Sequence, residues 1–445
     1  RTIYQLLTDR FNNPGSSGCS DLSDYCGGTF QGVIDQLDYI TSMGFDAIWI
    51  SPIVSNTDKG YHGYWAKDIN AVNSDFGTAA DLKALVSACH AKGVWVMLDV
   101  VGNHMGYGDI STFSPFNTTE SYHDCNGCPS SCNIEDFNNQ PTVQHCRLAG
   151  LPDLNQTNPA VAATLTSWIK ASASRPPPYS FDGIRVDTTP EVNMPFWKSF
   201  NQAAGVYAVG EVDNGDPSYV GPYQGNALDA TLSYPFFYTL RNVFSQKASM
   251  NSISSRISDM EKYFSDPTIV GTFLDNHDNP RFLSQNSDEV AYKAGLMYVI
   301  MSTGIPIVYY GSEALFSGGN DPACREPLWP TQFKQTEMTS WLTTVVTSRK
   351  ANKVHTAVWE SPQVQRYADD TFYAFTRGNV FVAMTNVGGQ GAPQQRTITY
   401  HPYANGDKLC SVFYPTSDCV TVANGSFNVY LNNGESKIYV PASSM

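Results

Sequence analysis

Short apolar runs alternate with longer amphipathic segments along the chain as far as about residue 349. The runs have the length of buried strands, and the segments have the apolar spacing of helices packed on one face. Eight strands are predicted, at residues 2–7, 45–50, 94–101, 181–187, 206–211, 227–232, 269–275 and 305–310. Helices are predicted at about 31–43, 78–93, 159–173, 250–264, 288–302 and 336–350.

Buried strands that alternate with helices predict parallel βαβ units, and eight of them predict a closed (β/α)8 TIM barrel of the α/β class. An open, doubly wound sheet is the alternative. We favour the barrel because no glycine-rich phosphate-binding motif follows the first strand.

Two parts of the chain depart from this alternation. Residues 104–154 are rich in Gly, Ser, Asn and Cys and are too long for an ordinary loop, which predicts a small domain inserted after the third strand. After the last helix, short runs separated by turn residues predict a C-terminal antiparallel β-sandwich. Its strands are expected at 371–376, 380–385, 395–400, 411–414, 419–422, 426–431 and 437–440. We therefore expect a barrel of residues 1–103 and 155–352, an insertion at 104–154 and a sandwich at 353–445.

The charge balance restricts the class of partner. The 445 residues carry a net charge of −14 with only 27 Lys and Arg, so nucleic acid and anionic membrane surfaces are disfavoured. The long uncharged run at residues 294–311 is broken by Gly304 and Pro306, which predicts a helix, a turn and a strand instead of a membrane span. With 13% aromatic residues, a neutral polyhydroxylated substrate fits better, because aromatic faces stack on sugar rings.

The ten cysteines indicate an oxidising compartment. Eight of them are close in sequence and predict disulfides that close surface loops: Cys19 and Cys26; Cys125, Cys128, Cys132 and Cys146; Cys410 and Cys419. Zinc is the alternative for the spacing of Cys125 and Cys128. Disulfides are favoured because Asn117, Asn155 and Asn424 each begin a glycosylation sequon. Cys89 is expected to be a buried thiol, and Cys324 has no local partner.

We thus expect a secreted, extracellular protein. The chain starts at Arg1, so any signal peptide is expected to have been removed already.

Carboxylates end three of the predicted strands. Asp187 and Glu211 each end a strand, and residues 269–275 lead into Asp278. The strand ends of a parallel barrel meet at one face, so these acids predict a single site. Arg185 lies two residues before Asp187 and therefore on the same face, where it is expected to keep that carboxylate ionised.

Four segments carry a family resemblance, at residues 99–104, 183–187, 210–212 and 274–278. They resemble, in order, the signature segments of the α-amylase family of glycoside hydrolases. Stretches at 4–11, 61–65, 151–154, 215–217 and 318–322 are similar to secreted fungal members in particular. The resemblance covers nearly the whole chain and implies a barrel, an inserted domain and a β-sandwich, as the residue pattern does.

The resemblance implies endo-hydrolysis of α-1,4-glucosidic bonds in starch, glycogen and malto-oligosaccharides. Asp187 would be the nucleophile, Glu211 the general acid/base and Asp278 the carboxylate that orients substrate hydroxyls. In a retaining enzyme the first two lie about 5–5.5 Å apart. Glu211 is expected to keep its proton in a dry site near negative charge. A maltogenic or transglycosylating relative is the alternative; a non-catalytic α-glucan-binding protein fits less well, because all three acids are present.

The resemblance also implies sugar-binding residues. His104 and His277 would hydrogen-bond the sugar at the cleaved bond, and Tyr64 would stack on it. Trp65 would line the cleft or belong to the core. Asp321 and Arg325 would form a donor-side pair, although Asp321 could equally be a turn residue. With Arg185, the predicted substrate-binding set is Arg185, His104, His277, Tyr64, Trp65, Asp321 and Arg325.

A structural calcium ion is implied between barrel and insertion. Asn103 and Asp153 match its side-chain ligands, and Gln144 and Glu191 match carbonyl ligands. Pro190 and Glu191 stand where fungal members have Lys and His, which normally contact the sugar on the leaving-group side. The main-chain carbonyl of residue 191 can bind calcium whatever the side chain is, whereas the sugar contact depends on the Lys and His side chains that are replaced here.

The disulfide pairing in the insertion stays open, because either Cys128 or Cys132 could be bonded to Cys146. Spacing favours Cys132 bonded to Cys146, with Cys125 and Cys128 closing a tight extra loop. The protein is expected to be a monomer.

Overall fold

The computed structural model describes residues 1–173, 179–351 and 361–444. The predicted boundary between barrel and sandwich, at residues 352 and 353, lies outside these ranges.

Eighteen strands occur in the described residues. In chain order they are β1 Ile3–Leu6, β2 Ala47–Ile50, β3 Val54–Asn56, β4 Ala66–Val72, β5 Trp95–Val100, β6 Gly183–Val186, β7 Tyr207–Gly210, β8 Ala230–Thr231, β9 Gly271–Thr272, β10 Ile305–Tyr309, β11 Val364–Ala368, β12 Phe372–Arg377, β13 Val380–Thr385, β14 Gln394–Ile398, β15 Lys408–Ser411, β16 Cys419–Thr421, β17 Phe427–Leu431 and β18 Lys437–Pro441.

The α-helices of the same ranges number fourteen. They are α1 Thr8–Phe11, α2 Phe30–Asp35, α3 Leu37–Ser42, α4 Ala79–Ala91, α5 Gln140–Val143, α6 Pro159–Ala173, α7 Met194–Ala204, α8 Pro217–Val220, α9 Tyr223–Asn226, α10 Tyr234–Leu240, α11 Asn251–Tyr263, α12 Phe282–Gln285, α13 Glu289–Met301 and α14 Glu337–Ala351.

Eight parallel strands form the barrel, in the order β8-β7-β6-β5-β2-β1-β10-β9. The two end strands are joined through a bridge between Leu232 and Gly271, where the N–H of Ser233 donates to the Gly271 carbonyl at 2.8 Å. This closure confirms the predicted TIM barrel over the open sheet. Large side chains fill the interior, among them Trp49, Met97 and Phe273, so the barrel is a packed core.

Several predicted elements match the structure closely. Helix α6 has the predicted bounds, and α4 begins at a capping box in which Thr78 and Asp81 bond each other's backbone N–H. The predicted helix at 31–43 is divided at Gln36 into α2 and α3. The sixth and seventh predicted barrel strands, at 227–232 and 269–275, are much shorter than expected, because β8 and β9 comprise only two residues each.

Helix α7 was missed, although its signals were visible. The Asn193 side chain caps its first turn by accepting from the Phe196 N–H, and Gly205 ends it with φ of 64°.

The C-terminal strands form the predicted antiparallel module. Six of them make one sheet, in the order β11-β12-β13-β18-β15-β16, and β14 pairs with β17. The strand predicted at 411–414 is wrong: β15 ends at Ser411. Phe413 instead stacks on Trp341 of α14, with ring centres 6.3 Å apart, so its apolar side chain serves the contact with the barrel.

The insertion leaves the barrel after β5 and returns at α6. The favoured pairing of its cysteines is wrong, because Cys125 is bonded to Cys132 and Cys128 to Cys146 in the structure. A turn in which the Cys132 N–H donates to the Pro129 carbonyl folds this segment back, and Cys132 has φ of 62°. Spacing along the chain contains no information about that turn.

The remaining cysteine predictions are confirmed. Cys19 is bonded to Cys26 and Cys410 to Cys419, whereas Cys89 is a buried free thiol. Cys324 is also free and buried, with Sγ 3.3 Å from the His277 carbonyl oxygen.

Throughout residues 1–173, 179–351 and 361–444, every helix is too short or too polar to cross a membrane.

Candidate active site

The predicted acids lie at the C-terminal mouth of the barrel. Asp187 directly follows β6, and its N–H donates to the Val100 carbonyl at 3.0 Å. Glu211 directly follows β7, and its N–H donates to the Val186 carbonyl at 2.9 Å. These bonds extend the barrel ladder by one residue, so rigid strands position both carboxyl groups.

One guanidinium group joins the acids. Arg185, which is 1% exposed, contacts Asp99 and Asp187 through Nη1 at 2.9 and 2.8 Å, and Glu211 through Nη2 at 2.9 Å. Asp187 and Glu211 therefore lie side by side on the two terminal nitrogens of one side chain. Asp278 stands apart from this group and is about one-third exposed.

The electrostatics correct one expectation. Burial raises the pKa of Asp187 well above its usual range; Arg185 opposes this shift, and the carboxylates of Glu211 and Asp99 add to it. Burial likewise raises the pKa of Asp99 to about 6. Arg185 alone thus does not keep Asp187 ionised. The single positive charge of Arg185 is shared among Asp99, Asp187 and Glu211, so it does not offset the burial of Asp187.

The backbone beside the acids is strained. Thr188 has φ of 48° and ψ of 49°, which is a left-handed conformation that costs a β-branched residue roughly 1–2 kcal/mol. In this conformation the Thr188 N–H donates to Glu211 Oε2 at 3.0 Å. The same oxygen contacts Arg185, whereas the contact of Oε1 within the described residues is a long one, 3.4 Å from the Tyr234 hydroxyl. Oε1 is therefore the oxygen left for a reacting partner.

Tyr64 and His277 form a connected wall. The Tyr64 hydroxyl donates to Asp99 Oδ2 and lies near His277 Nε2, both at 2.7 Å. Their rings are stacked at 5.4 Å, and His62 stacks on Tyr64 as well, at 5.5 Å. The amide of Gln5 lies 2.8 Å from His277 Nδ1. Tyr64 is half-buried, so a ligand can reach only the part of its ring that His62 and His277 leave uncovered.

His104 is buried and already engaged. Its Nε2 lies 3.0 Å from the Tyr64 carbonyl and its Nδ1 3.3 Å from the Asn103 amide. Burial lowers the pKa of His104 to about 4, so the ring is neutral and its Nε2–H donates to that carbonyl.

Arg325 holds the third acid. It contacts Asp278 at 3.2 Å, Asp321 at 3.0 Å, the Tyr61 hydroxyl at 3.1 Å and the His277 carbonyl at 2.8 Å. Arg325 is 5% exposed and is therefore occupied by these partners, whereas the Asp321 side chain is 47% exposed.

Trp65 extends the aromatic wall outward. It is half-buried and meets Tyr107 edge-on, with ring centres 5.0 Å apart. Tyr107 is itself 44% exposed, so this part of the surface is open to a ligand.

A cavity of about 360 Å³ is lined by Glu211 and its neighbours. Barrel residues Thr188, Pro190 and Glu191 line it together with Phe137 and Leu148 of the insertion. Glu191 is buried, which raises the pKa of its carboxyl group to about 8, with the charge of Glu211 adding to the shift.

The two predicted side-chain ligands of calcium, Asn103 and Asp153, lie next to each other. A bridge between His104 and Asp153, and a bond from the Leu154 N–H to the Asn103 carbonyl at 2.8 Å, hold Asn103 beside Asp153. Asn103 Oδ1 is buried and accepts no hydrogen bond from any described residue. An orphaned amide oxygen and a buried carboxylate are what an oxygen-ligated cation requires.

Of the two predicted carbonyl ligands, Gln144 belongs to the insertion and Glu191 to the barrel turn after β6. Gln140 of α5 donates to the Pro190 carbonyl at 2.7 Å and accepts from the Tyr219 hydroxyl at 2.8 Å. These bonds hold α5, which ends one residue before Gln144, against the turn that carries Glu191. No group of three or more His, Cys, Asp or Glu side chains suited to a metal occurs among the described residues.

Sequence reasoning missed Asp99 as a member of the site. It accepts from Arg185, from the Tyr64 hydroxyl and from Trp49 Nε1 at 3.0 Å. Its signal was present, since a lone carboxylate inside an apolar strand has to be paired. Gln5 and Tyr61 were also missed as site residues, although both lie in stretches that resemble fungal family members, at 4–11 and 61–65.

Three acids, two arginines and a wall of aromatic residues at the mouth of a TIM barrel define a carboxylate-based enzyme of the TIM-barrel class. The family model for the alpha amylase catalytic domain matches residues 5–395. The chain belongs to the α-amylase family of glycoside hydrolases.

Individual relatives agree with this membership. "Alpha-amylase 1" of Lipomyces kononenkoae is 44% identical over 358 residues, which are 76% of this chain and 56% of that protein. "Alpha-amylase" of Saccharomycopsis fibuligera is 36% identical over 99% of this chain and 91% of its own length. The solved α-amylase structure from Malbranchea cinnamomea superposes with a TM-score of 0.93 at 37% identity, covering 100% of this chain and 97% of that one.

Proposed function

We propose that this protein is a retaining α-amylase that hydrolyses internal α-1,4-glucosidic bonds of starch, glycogen and malto-oligosaccharides. The observation that carries the proposal is the placement of Asp187 and Glu211 on the two ends of the Arg185 guanidinium, with Asp278 held separately by Arg325. A retaining mechanism requires two carboxyl groups close enough for one to attack while the other protonates.

Each acid has an oxygen free for its proposed role. Arg185 binds Oδ1 of Asp187, so Oδ2 is the atom that attacks the anomeric carbon and forms the glycosyl-enzyme bond. Glu211 donates the proton on Oε1 to the departing glycosidic oxygen, since Oε2 is bound by Arg185 and Thr188. In the second step Glu211 takes a proton from water, whose oxygen then displaces Asp187 from the sugar.

The remaining residues position these groups. Asp278 is proposed to accept hydrogen bonds from sugar hydroxyls, because Arg325 occupies one of its oxygens and its side chain is partly exposed. His277 approaches Asp278 at 3.3 Å and joins it to Tyr64 and Asp99. We propose that His104 acts mainly through the carbonyl of Tyr64, which it holds.

We propose a structural calcium ion bound by the side chains of Asn103 and Asp153 and the carbonyls of Gln144 and Glu191. The ion would supply a cross-link between barrel and insertion, and it takes no part in bond cleavage. The orphaned Asn103 oxygen supports this proposal. Excess chelator is expected to lower the melting temperature by several degrees, and Asn103→Ala should remove most of that calcium dependence. An unchanged melting temperature would contradict the site.

A second candidate, transglycosylation, is supported by the cavity beside Glu211. It has apolar residues on the insertion side, where an acceptor sugar could compete with water for the glycosyl-enzyme. Chromatography of products from maltotriose would show chains longer than the substrate.

We also propose that the protein is a secreted monomer with the domain limits predicted above. Four disulfides support an oxidising compartment. Asn117 and Asn424 are exposed and suited to glycosylation, whereas Asn155 is half-buried and already accepts from Thr157.

Reducing-sugar release from soluble starch tests the main proposal. Glu211→Gln should lose several orders of magnitude in kcat while keeping its fold. Glu337→Gln on α14, where the side chain is 91% exposed, is the matched control and should keep wild-type activity. An inactive wild type that still binds starch would support the glucan-binding alternative instead.

A further inference from the structure

Arg10 lies in the stretch at residues 4–11 that resembles fungal family members, and the proposed mechanism leaves it unused. Its side chain, on α1, is 0% exposed, and its Nε pairs with Asp9 Oδ2 at 2.8 Å. Asp9 is equally buried and also accepts from the N–H groups of Cys26 and Gly27, at 2.8 and 3.0 Å. Because burying an ion pair carries a large desolvation cost, the groups that the other donors of Arg10 bind show what the pair holds in place.

The other donors of Arg10 hold two separate segments. Nη2 donates to the carbonyls of Leu22 and Asp24, at 2.9 and 2.8 Å, in the first disulfide-closed loop of the chain. Nη1 donates to the main-chain carbonyl of Arg325 at 3.0 Å. One planar guanidinium group thus ties this loop to the residue that holds Asp278.

Arg10 also reaches the side chain of Arg325, through the ring of Tyr61. The Arg10 Cζ lies 3.8 Å from the centre of that ring, which suits a cation–π contact, and the Tyr61 hydroxyl accepts from Arg325 Nη1 at 3.1 Å. Tyr61 is 3% exposed, so its packed ring has little freedom to move. Arg10 therefore fixes Arg325 at two points, the main-chain carbonyl and the guanidinium group.

The orientation of Asp278 depends on Arg325. The Nη2 of Arg325 contacts Asp278 at 3.2 Å, and its Nε donates to the His277 carbonyl at 2.8 Å. The side chain of Asp278 is more exposed than those of the other two proposed acids, so packing restrains it less and the ion pair restrains it more. A residue that fixes Arg325 therefore acts on the direction in which this carboxylate points.

We propose that Arg10 is a positioning residue for Asp278, which acts through Arg325 and Tyr61 and keeps that carboxylate aligned with the reacting sugar. This inference rests on the proposed α-amylase function. Arg10 itself touches no substrate, so its replacement should lower kcat without weakening substrate binding.

Arg10→Lys tests the inference. Lysine keeps a positive charge beside Asp9, but its single nitrogen cannot bond the carbonyl of Arg325 and those of the loop together, and it has no planar group to lie over Tyr61. With calcium present, kcat for hydrolysis of maltopentaose should fall about tenfold with little change in KM, as expected for a misaligned group.

A double-mutant cycle separates positioning from a general loss of structure. Arg325→Lys alone should lose roughly 10–100-fold in kcat. If Arg10 acts through Arg325, adding Arg10→Lys should cost no more than about a further threefold, because the contact it supports is already lost. Independent effects would multiply instead, with a further loss of about tenfold.

Arg349→Lys is the matched control. Arg349 on α14 is 2% exposed and donates to the carbonyls of Ser302 and Gly304, which precede β10 at the end of the barrel opposite the acids. This variant should lose stability but keep kcat within about twofold of wild type. If Arg10→Lys does not fold, Tyr61→Leu takes its place in the cycle, because it removes the ring between the two arginines and leaves the buried ion pair intact.

An unchanged kcat in the single variant would overturn the inference, as would losses that multiply in the double variant. The α-amylase proposal would stand in either case, since the wild type is active. A wild type that leaves maltopentaose intact would refute the proposed function and this positioning role together.

Discussion

Replacing Asp99 by Asn tests whether the buried charges set the pH dependence of catalysis. Asp99 and Asp187 each have an oxygen within 2.9 Å of Arg185 Nη1, so those oxygens are less than about 6 Å apart. At an effective dielectric of about 20, two charges at this separation interact by roughly 3 kcal/mol, or about two pKa units. The negative charge of Asp99 raises the pKa of Asp187, so its removal lowers that pKa.

The sign of the expected change follows from the nucleophile. Asp187 attacks only when ionised, so activity rises as the pH passes upward through its pKa. Asp99→Asn should therefore move the acidic limb of the kcat/KM profile to lower pH. The shift should be on the order of one pH unit, because burial raises the pKa of Asp99 to about 6 and its carboxyl group is therefore not fully ionised below that pH.

The assay is the pH profile of kcat/KM on maltopentaose at constant ionic strength. Asp99→Asn also loses a buried ion pair and turns one acceptor into a donor, which should cost about 3–5 kcal/mol of stability. Asp275→Asn is the matched control. Asp275 is equally buried and pairs with Arg241 at 2.6 Å, so it should lose stability without moving the limb. An acidic limb that stays in place or moves to higher pH in Asp99→Asn would refute the reasoning.

Three further predictions concern positioning and cross-links. Arg325→Lys cannot keep the several donors that orient Asp278. The kcat on maltopentaose should therefore fall by roughly 10–100-fold with little change in KM. A change confined to KM would contradict the orienting role. Tyr64→Phe removes the hydroxyl shared by Asp99 and His277 and should lower kcat/KM about tenfold, whereas full activity would show that the hydroxyl is dispensable. Peptide mapping without reduction should recover Cys128 linked to Cys146, and a peptide linking Cys132 to Cys146 would contradict the structure.

The order of the eight barrel strands could be read from the sequence because burial follows periodicity. Apolar runs such as that of β5 and the bounds of α6 are local patterns, and the acids Asp187 and Glu211 were found because parallel strands end at one face. Arg185 and Asp187 were placed on one side of their strand by its twofold alternation, and they are in contact at 2.8 Å.

The tertiary structure decided what depends on contacts between distant segments. Sequence periodicity placed Arg185 beside Asp187, but only the closed barrel buries Asp187 and brings Asp99 and Glu211 to the same guanidinium. Burial first, and the two carboxylates second, raise the pKa of Asp187. The pairing of Cys128 with Cys146 depends on a turn that spacing does not encode. The Oε2 atom of Glu191 is buried without a hydrogen-bond partner among the described residues. This became visible only once the insertion was packed over the barrel, because a missing hydrogen bond is a property of the surroundings and not of the residue.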